Sequence, residues 1–254
     1  MNRYSLKNKC VMVTGGSRGI GLAIAQACAR AGARIALVAR NPRTLRQAAA
    51  TMQGRRTKVD CFSFDMAATD KLEALYRRII RRTGGVDILV NNAGTTVRGP
   101  AETINQEDWE MVLKVNLTSV FRLCQMFARE RIARKAPGKL INIASLLSEA
   151  ARKDNSPYAT AKGGIRQLTK ALAVDWAKYN INVNAIGPGY IRTELTQPLQ
   201  DNADFDKWVT ARTPLGRWGN PVDIADTAVF LASPASDFIT GQVVYVDGGI
   251  LSSF

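Results

Sequence analysis

The chain has 254 residues, 46% hydrophobic and 22% charged, an ordinary balance for a globular protein and enough length to bury one sizeable core. It contains no histidine, which removes Ser-His-Asp and Cys-His catalysis, a histidine proton shuttle and histidine-ligated zinc; with no dense carboxylate cluster either, no metal site is expected. The net charge of +14 comes from scattered residues and short runs around Arg77, Arg81 and 129–135 that read as solvated helix faces, so specific nucleic-acid binding is not expected, while a surface suited to small anions is.

The first residues lack the apolar core of a secretion signal, and no apolar run approaches the roughly 18 residues of a membrane span, so no membrane partner is expected. Four widely spaced cysteines, Cys10, Cys28, Cys61 and Cys124, read as buried reduced thiols of a cytoplasmic protein.

Residues 9–14 form a short apolar run that predicts a buried strand. It leads into Thr14-Gly-Gly-Ser-Arg-Gly-Ile-Gly21 and then a stretch of helical period. Strand, glycine turn and helix together make a phosphate-binding context: Gly15 allows the tight turn, Gly19 and Gly21 allow close backbone approach, and the helix N-terminus faces a pyrophosphate. A second strand is predicted over 34–39. An NAD site normally carries a carboxylate at its end; here the chain reads Ala39-Arg40-Asn41, with Arg43 following and Arg18 in the glycine loop. Guanidinium groups bind a 2′-phosphate that a carboxylate would repel, so NADP(H) is preferred over NAD(H).

The alternation continues with a strand over 59–64 ending at Asp65-Met66, where a carboxylate can accept from an adenine amino group, and a helix over 69–82. A strand over 86–91 ends in Asn91-Asn-Ala-Gly94, small residues that let backbone pass close to a cofactor; Asn92 also suits a role tying strands together. A helix over 105–135 contains Asn116, unfavourable in mid-helix and therefore a mark of a kink or a water contact. A strand over 138–145 leaves Ser145 at its C-terminal end. The next helix, to about 179, carries Tyr158 and Lys162, and i, i+4 residues share one face. A fixed cation beside a phenol lowers its pKa and suits it to general acid–base work. A strand over 181–186, an irregular segment over 195–219 suited to a lid, a helix over 221–232 and a strand over 242–246 complete the chain. The pattern predicts a single α/β domain over 1–254: a Rossmann-type, doubly wound parallel sheet of about seven strands with helices on both faces, and a substrate lid around 190–219.

Taken together, Thr14-Gly-x-x-x-Gly-x-Gly21, Asn91-Asn-Ala-Gly94, Asn116, Ser145, Tyr158-x-x-x-Lys162 and Pro188-Gly189 resemble the short-chain dehydrogenase/reductase family over essentially the whole chain. The resemblance implies that Tyr158 exchanges a proton with a carbonyl or alcohol oxygen while hydride passes to or from a nicotinamide. Lys162 would tune Tyr158 and hold the ribose, Ser145 would hydrogen-bond the reacting oxygen, and Asn116 would hold a water leading from Lys162 to solvent. The cofactor would be held by Gly15, Ser17, Arg18, Gly19, Ile20, Gly21, Arg40, Asn41, Asp65, Met66, Asn92, Ala93, Gly94, Tyr158, Lys162, Pro188, Gly189, Ile191 and Thr193.

Within the family the chain is most similar to sugar-acid dehydrogenases of the gluconate 5-dehydrogenase type, through Ser148-Glu-Ala-Ala, the stretch from Gly187 to Thr196, Arg212-Thr-Pro-Leu-Gly-Arg-Trp-Gly219 and Val246-Asp-Gly-Gly-Ile. It departs from them at Val97-Arg98, where two adjacent basic residues are usual. The likeness implies a small polyhydroxy or keto acid as substrate, with Arg98, Ser145, Glu149 and Tyr190 as its contacts. Two other readings are another carbonyl class, such as 3-oxoacyl thioesters, and a non-catalytic nucleotide sensor. The family likeness also implies a homotetramer, with the apolar tail Gly249-Ile-Leu-Ser-Ser-Phe254 at an interface.

Overall fold

The computed structural model describes residues 2–52 and 57–253. Strands and helices alternate along the chain: β1 (Cys10–Thr14), α1 (Gly19–Arg30), β2 (Arg34–Ala39), α2 (Pro42–Ala50), β3 (Val59–Ser63), α3 (Leu72–Thr83), β4 (Ile88–Asn91), α4 (Gln106–Leu113), α5 (Ser119–Ala133), β5 (Gly138–Ile143), α6 (Ser156–Trp176), β6 (Ile181–Pro188), α7 (Gln197–Gln200), α8 (Ala203–Arg212), α9 (Pro221–Ala232) and β7 (Val243–Val246). The strands form one seven-stranded, wholly parallel sheet in the order β3-β2-β1-β4-β5-β6-β7. This is the doubly wound Rossmann-type architecture expected from the sequence.

A parallel sheet covered on both faces needs strands that are apolar on both sides, and β1 is buried at every residue. Successive side chains point to opposite faces: Val11 and Val13 enter a core built with α1, α2 and α9, and Met12 enters a second core built with α3, α5 and α6. The chain runs outward from β1 to β3, then returns to the other side of β1 to begin β4. A crevice therefore opens beyond the C-terminal ends of β1 and β4, where strand order reverses.

Two expectations change. The helix over 105–135 is α4 and α5 joined by a π turn at Lys114–Thr118, closed by Ser119 N–H on the carbonyl of Lys114. Asn116 lies inside that turn, so its poor helix propensity is met by a local widening of the helix. The segment over 195–219 is more regular than its prolines suggest. Pro198 sits in the first turn of α7, where its missing N–H costs nothing, and the Asn202 side chain caps α8 by accepting from Phe205 N at 2.9 Å.

Among the described residues no helix is long and apolar enough to cross a membrane, and no group of three or more potential ligands is placed to hold a metal ion. The four cysteines are free: Cys10, Cys28 and Cys124 are buried as expected, whereas Cys61 is exposed on β3. The end of the apolar tail, Phe254, lies outside the described residues.

Candidate active site

α6 begins with Ser156 and Pro157, and its first face carries Tyr158 and Lys162 toward the end of β5. Lys162 is 5% exposed, and its Nζ donates to the Ile143 carbonyl at 2.5 Å, the last residue of β5. The same ammonium stands over the Tyr158 ring, 5.5 Å from its centre. Ser145 follows two residues after Ile143 and is also buried. Its backbone N–H donates to Ser148 Oγ at 3.3 Å and its Oγ accepts from Leu147 N at 3.1 Å, a reciprocal cap that fixes the rotamer.

Burial raises the Tyr158 phenol above its ordinary value, and two neighbours draw it back: the Ser145 hydroxyl, by hydrogen bonding, and the charge of Arg98. Burial also lowers the Lys162 ammonium from 10.5 to about 8. Lys162 itself points at the ring and at the Ile143 carbonyl.

Asn116 reaches across to the loop after β4. Its Oδ1 accepts from Thr95 N at 2.8 Å and its Nδ2 donates to Thr95 O at 2.7 Å, so the amide side chain is committed to that loop. A Cβ on Gly94 would stand 3.1 Å from Asn116 Oδ1, which explains a glycine at that close approach.

The glycine loop is tied to β4 by Thr14, whose Oγ1 accepts from both Asn92 N and Ala93 N at 3.0 Å. The Asn92 amide donates to the carbonyls of Thr14 at 3.0 Å and Gly15 at 3.2 Å. Asn92 thus performs the tying role. Gly15 has φ +64°, and a Cβ on Gly21 would fall 2.3 Å from Gly15 O, so neither position admits a side chain. The N-cap of α1, Arg18, makes no side-chain cap, and no acidic residue lies in the first turn. The bare helix end and the glycine cradle fit a dinucleotide's pyrophosphate.

The adenosine end is more occupied than expected. Asn41 Oδ1 caps α2 through Arg43 N at 2.8 Å, Asp65 Oδ1 accepts from Ala67 N at 3.0 Å, and Arg18 pairs with Glu194 at 2.7 Å on the surface. Arg40 is exposed at the end of β2, with its carbonyl held by Ser63 Oγ at 2.8 Å. Ser17 and Ile20 are half-buried in the glycine loop, and Met66 is buried below Asp65.

At the opposite end of the crevice, Gly189 N donates to Val246 O at 3.0 Å, and a Cβ there would stand 2.7 Å from Asp247 Cα, locking the turn after Pro188 against β7. Ile191 is buried and bridges to Gly219. Thr193 starts a short helical turn capped reciprocally by Thr196, and its methyl group lies 3.4 Å from where a Cβ on Gly19 would be. The lid base and the glycine loop therefore meet.

Arg98 faces Tyr158 and Tyr190 across this crevice. Tyr190 belongs to an aromatic cluster with Phe205, Trp208 and Trp218, at centroid separations of 5.6, 5.8 and 5.7 Å. Glu149 is not directed at the same place; its carboxylate pairs with Arg166 at 2.5 Å. Sequence reading missed the aromatic cluster and Arg152, whose guanidinium stacks on Phe205 at 5.1 Å. The i, i+3 spacing of Phe205 and Trp208 was the available signal.

The arrangement is matched in known proteins. The family model described as enoyl-(acyl carrier protein) reductase matches residues 15–251. The chain is 40% identical over 250 residues to gluconate 5-dehydrogenase of Gluconobacter oxydans, covering 98% of this chain and 97% of that one. It is likewise 40% identical over 252 residues to 2-dehydro-3-deoxy-D-gluconate 5-dehydrogenase of Formosa agariphila, covering 98% of this chain and 95% of that one. The solved structure of a gluconate 5-dehydrogenase from Burkholderia cenocepacia in complex with NADP and tartrate superposes with a TM-score of 0.95 at 42% identity, over 100% of this chain and 99% of that one.

Proposed function

This chain belongs to the short-chain dehydrogenase/reductase family, and we propose that it is an NADP(H)-dependent oxidoreductase interconverting a secondary alcohol and a ketone on a sugar acid such as gluconate or 5-ketogluconate. The observation that carries this reading is the grouping of Ser145, Tyr158 and Lys162 at the C-terminal end of β5, with the charge of Arg98 acting on the phenol. Relatives that act on gluconate-type acids, and one crystallised with NADP and tartrate, support the substrate class and the cofactor.

In the reduction, Tyr158 Oη gives its proton to the carbonyl oxygen, and Ser145 Oγ–H donates a hydrogen bond to the same oxygen as negative charge builds on it. When bound, the nicotinamide supplies or takes up the hydride. Lys162 holds the ribose with Tyr158 and, with a pKa of about 8, lends its positive charge to the site at neutral pH. Gly15, Ser17, Gly19, Ile20 and Gly21 receive the pyrophosphate, Asn92, Ala93 and Gly94 line the sugar, and Pro188, Gly189, Ile191 and Thr193 sit beside the nicotinamide. Arg40, with Arg18 released from Glu194, receives the 2′-phosphate. The side chains of Asn41 and Asp65 already hold backbone N–H groups, so their contribution is to shape the adenosine wall, Asp65 through its second oxygen and Met66 through its apolar neighbour. Asn116 positions the loop at Thr95, and the π turn around it is where a water leading to Lys162 would lodge.

The segment around 190–219 acts as the lid on this single domain. Glu149 anchors the loop before α6 through Arg166, and Tyr190 offers the substrate an aromatic wall. The half-buried edge strand β7 and the exposed Phe238 and Val174 support assembly into a homotetramer, and four free cysteines suit a cytoplasmic protein. Sedimentation checks the assembly; a monomer rejects it.

The test of the activity is oxidation of NADPH and of NADH by purified protein, with 5-ketogluconate beside simple ketones and 3-oxoacyl thioesters. Rapid turnover with NADPH and the keto acid is expected. Turnover confined to the other carbonyls would discard the sugar acid and keep the catalytic residues, and tight NADPH binding with no turnover on any of them would favour a nucleotide sensor.

A further inference from the structure

Two arginines, Arg98 and Arg152, lie on adjoining loops near Tyr158, within Coulombic range of each other. Arg98 lies on the loop after β4 and Arg152 on the loop before α6. The loops are pinned together by Gly99 N donating to Asp154 O at 3.2 Å, with Asp154 itself held at φ +62°. This places the Arg98 guanidinium within Coulombic range of both Arg152 and the Tyr158 phenol. Like charges so placed repel, and burial together with Arg152 lowers the Arg98 pKa. Among the described residues neither guanidinium is in an ion pair, with Asp154 or with any other carboxylate, and two nearby carboxylates are spent elsewhere: Glu149 on Arg166 at 2.5 Å and Asp206 on Trp218 Nε1 at 2.8 Å.

Arg152 is also held by the lid. Its Cζ lies 5.1 Å over the ring of Phe205 in α8, and Phe205 packs edge-on to Tyr190 at 5.6 Å and stacks on Trp208 at 5.4 Å. A guanidinium held over an aromatic ring makes no ion pair there and keeps N–H groups for an anion, and a planar fork matches a carboxylate bidentately.

We propose that Arg152 is a specificity-determining residue: with Arg98 it forms a two-guanidinium clamp for the carboxylate of the substrate, and through Phe205 it couples that recognition to the position of α8. The clamp deepens the sugar-acid reading above and rests on it. It also supplies the second positive charge that Val97 leaves out of the loop after β4.

The test compares wild type, Arg152→Ala and Arg152→Lys on 5-ketogluconate and on L-sorbose, which carries a hydroxymethyl group in place of the carboxylate. The losing variant should drop kcat/KM for the keto acid by about 30-fold, mostly in KM, as expected for losing charged hydrogen bonds. Its kcat/KM for L-sorbose should stay within about 3-fold of wild type, because charge recognition is not used there. Arg152→Lys should recover part of the loss. Tartrate titrated against tryptophan fluorescence in the presence of NADP gives a readout free of turnover, and Arg152→Ala should weaken tartrate binding by a similar factor. A wild type that prefers the keto acid with a variant that keeps the same preference overturns the clamp and leaves the sugar-acid reading standing. A wild type indifferent to the keto acid overturns that reading, and tartrate then decides the clamp: binding lost in Arg152→Ala supports it, and unchanged binding or none in wild type overturns it.

Discussion

The ammonium of Lys162 stands over the ring of Tyr158, 5.5 Å from its centre, while its hydrogen bond goes to the carbonyl of Ile143. The pair is thus built into the fold, through α6 and the end of β5, before any ligand binds. The Ser145 hydroxyl, by hydrogen bonding, and the charge of Arg98 draw the phenol down against its burial.

Burial of Lys162 gives a stability prediction with a definite sign. Its folded pKa of about 8 lies below the ordinary 10.5, so between these values the unfolded chain binds more protons and stability from this group rises with pH. Below about 8 both states hold the proton and the burial cost is at its full size. Between pH 8 and pH 9.5 the urea-unfolding free energy of wild type should rise relative to Lys162→Met by about 2 kcal/mol. A difference between the two that stays flat with pH would contradict the buried, depressed ammonium.

Cofactor choice should follow Arg40, the exposed guanidinium at the end of β2. Arg40→Asp should raise the KM for NADPH by about 10- to 100-fold, leave or lower that for NADH, and so invert the preference. Unchanged selectivity would move the 2′-phosphate site elsewhere.

Arg18 is tied to Glu194 by an exposed pair at 2.7 Å, which the proposed 2′-phosphate contact of Arg18 would displace. Exposed pairs are worth about 0–1 kcal/mol. Glu194→Gln should therefore tighten NADPH binding by no more than about 5-fold and leave NADH binding unchanged, as read by fluorescence titration. Equal effects on both cofactors would place Arg18 away from the phosphate.

The glycine cradle makes a steric prediction. A Cβ at Gly21 would meet Gly15 O at 2.3 Å and Asn92 Nδ2 at 2.4 Å, both held by the hydrogen bonds that tie β4 to the glycine loop. Gly21→Ala should lose about 1–3 kcal/mol of stability and most of its NADPH affinity. A variant with wild-type melting and wild-type NADPH affinity would show that the loop can relax.

Much of this was legible in the sequence because it is carried by local signals. Short apolar runs gave the strands, and β2 falls at the residues expected of it, 34–39. Asn116 announced an irregularity that the structure resolves as a π turn. Other signals were present and outweighed. Asn41 followed by Pro42 is a helix-cap signature, and the side chain is spent on that cap, though its place after β2 had suggested the cofactor. Pro198 and Asn202 likewise begin helices in the segment expected to be irregular. Glu149 and Arg152 were beyond local reading altogether. Their partners, Arg166 and Phe205, come from other elements, and only the folded chain spends one carboxylate on a salt bridge and brings one guanidinium within range of Arg98.

The most direct test of the central claim is a paired measurement on wild type and Tyr158→Phe: NADPH affinity by fluorescence titration, and NADPH oxidation with 5-ketogluconate. With the phenol proposed as proton donor and one of the ribose contacts, the variant should bind NADPH within about 5-fold of wild type while turnover falls by about 10²- to 10⁴-fold. Turnover that survives in Tyr158→Phe would contradict the assignment of Tyr158 as the proton donor.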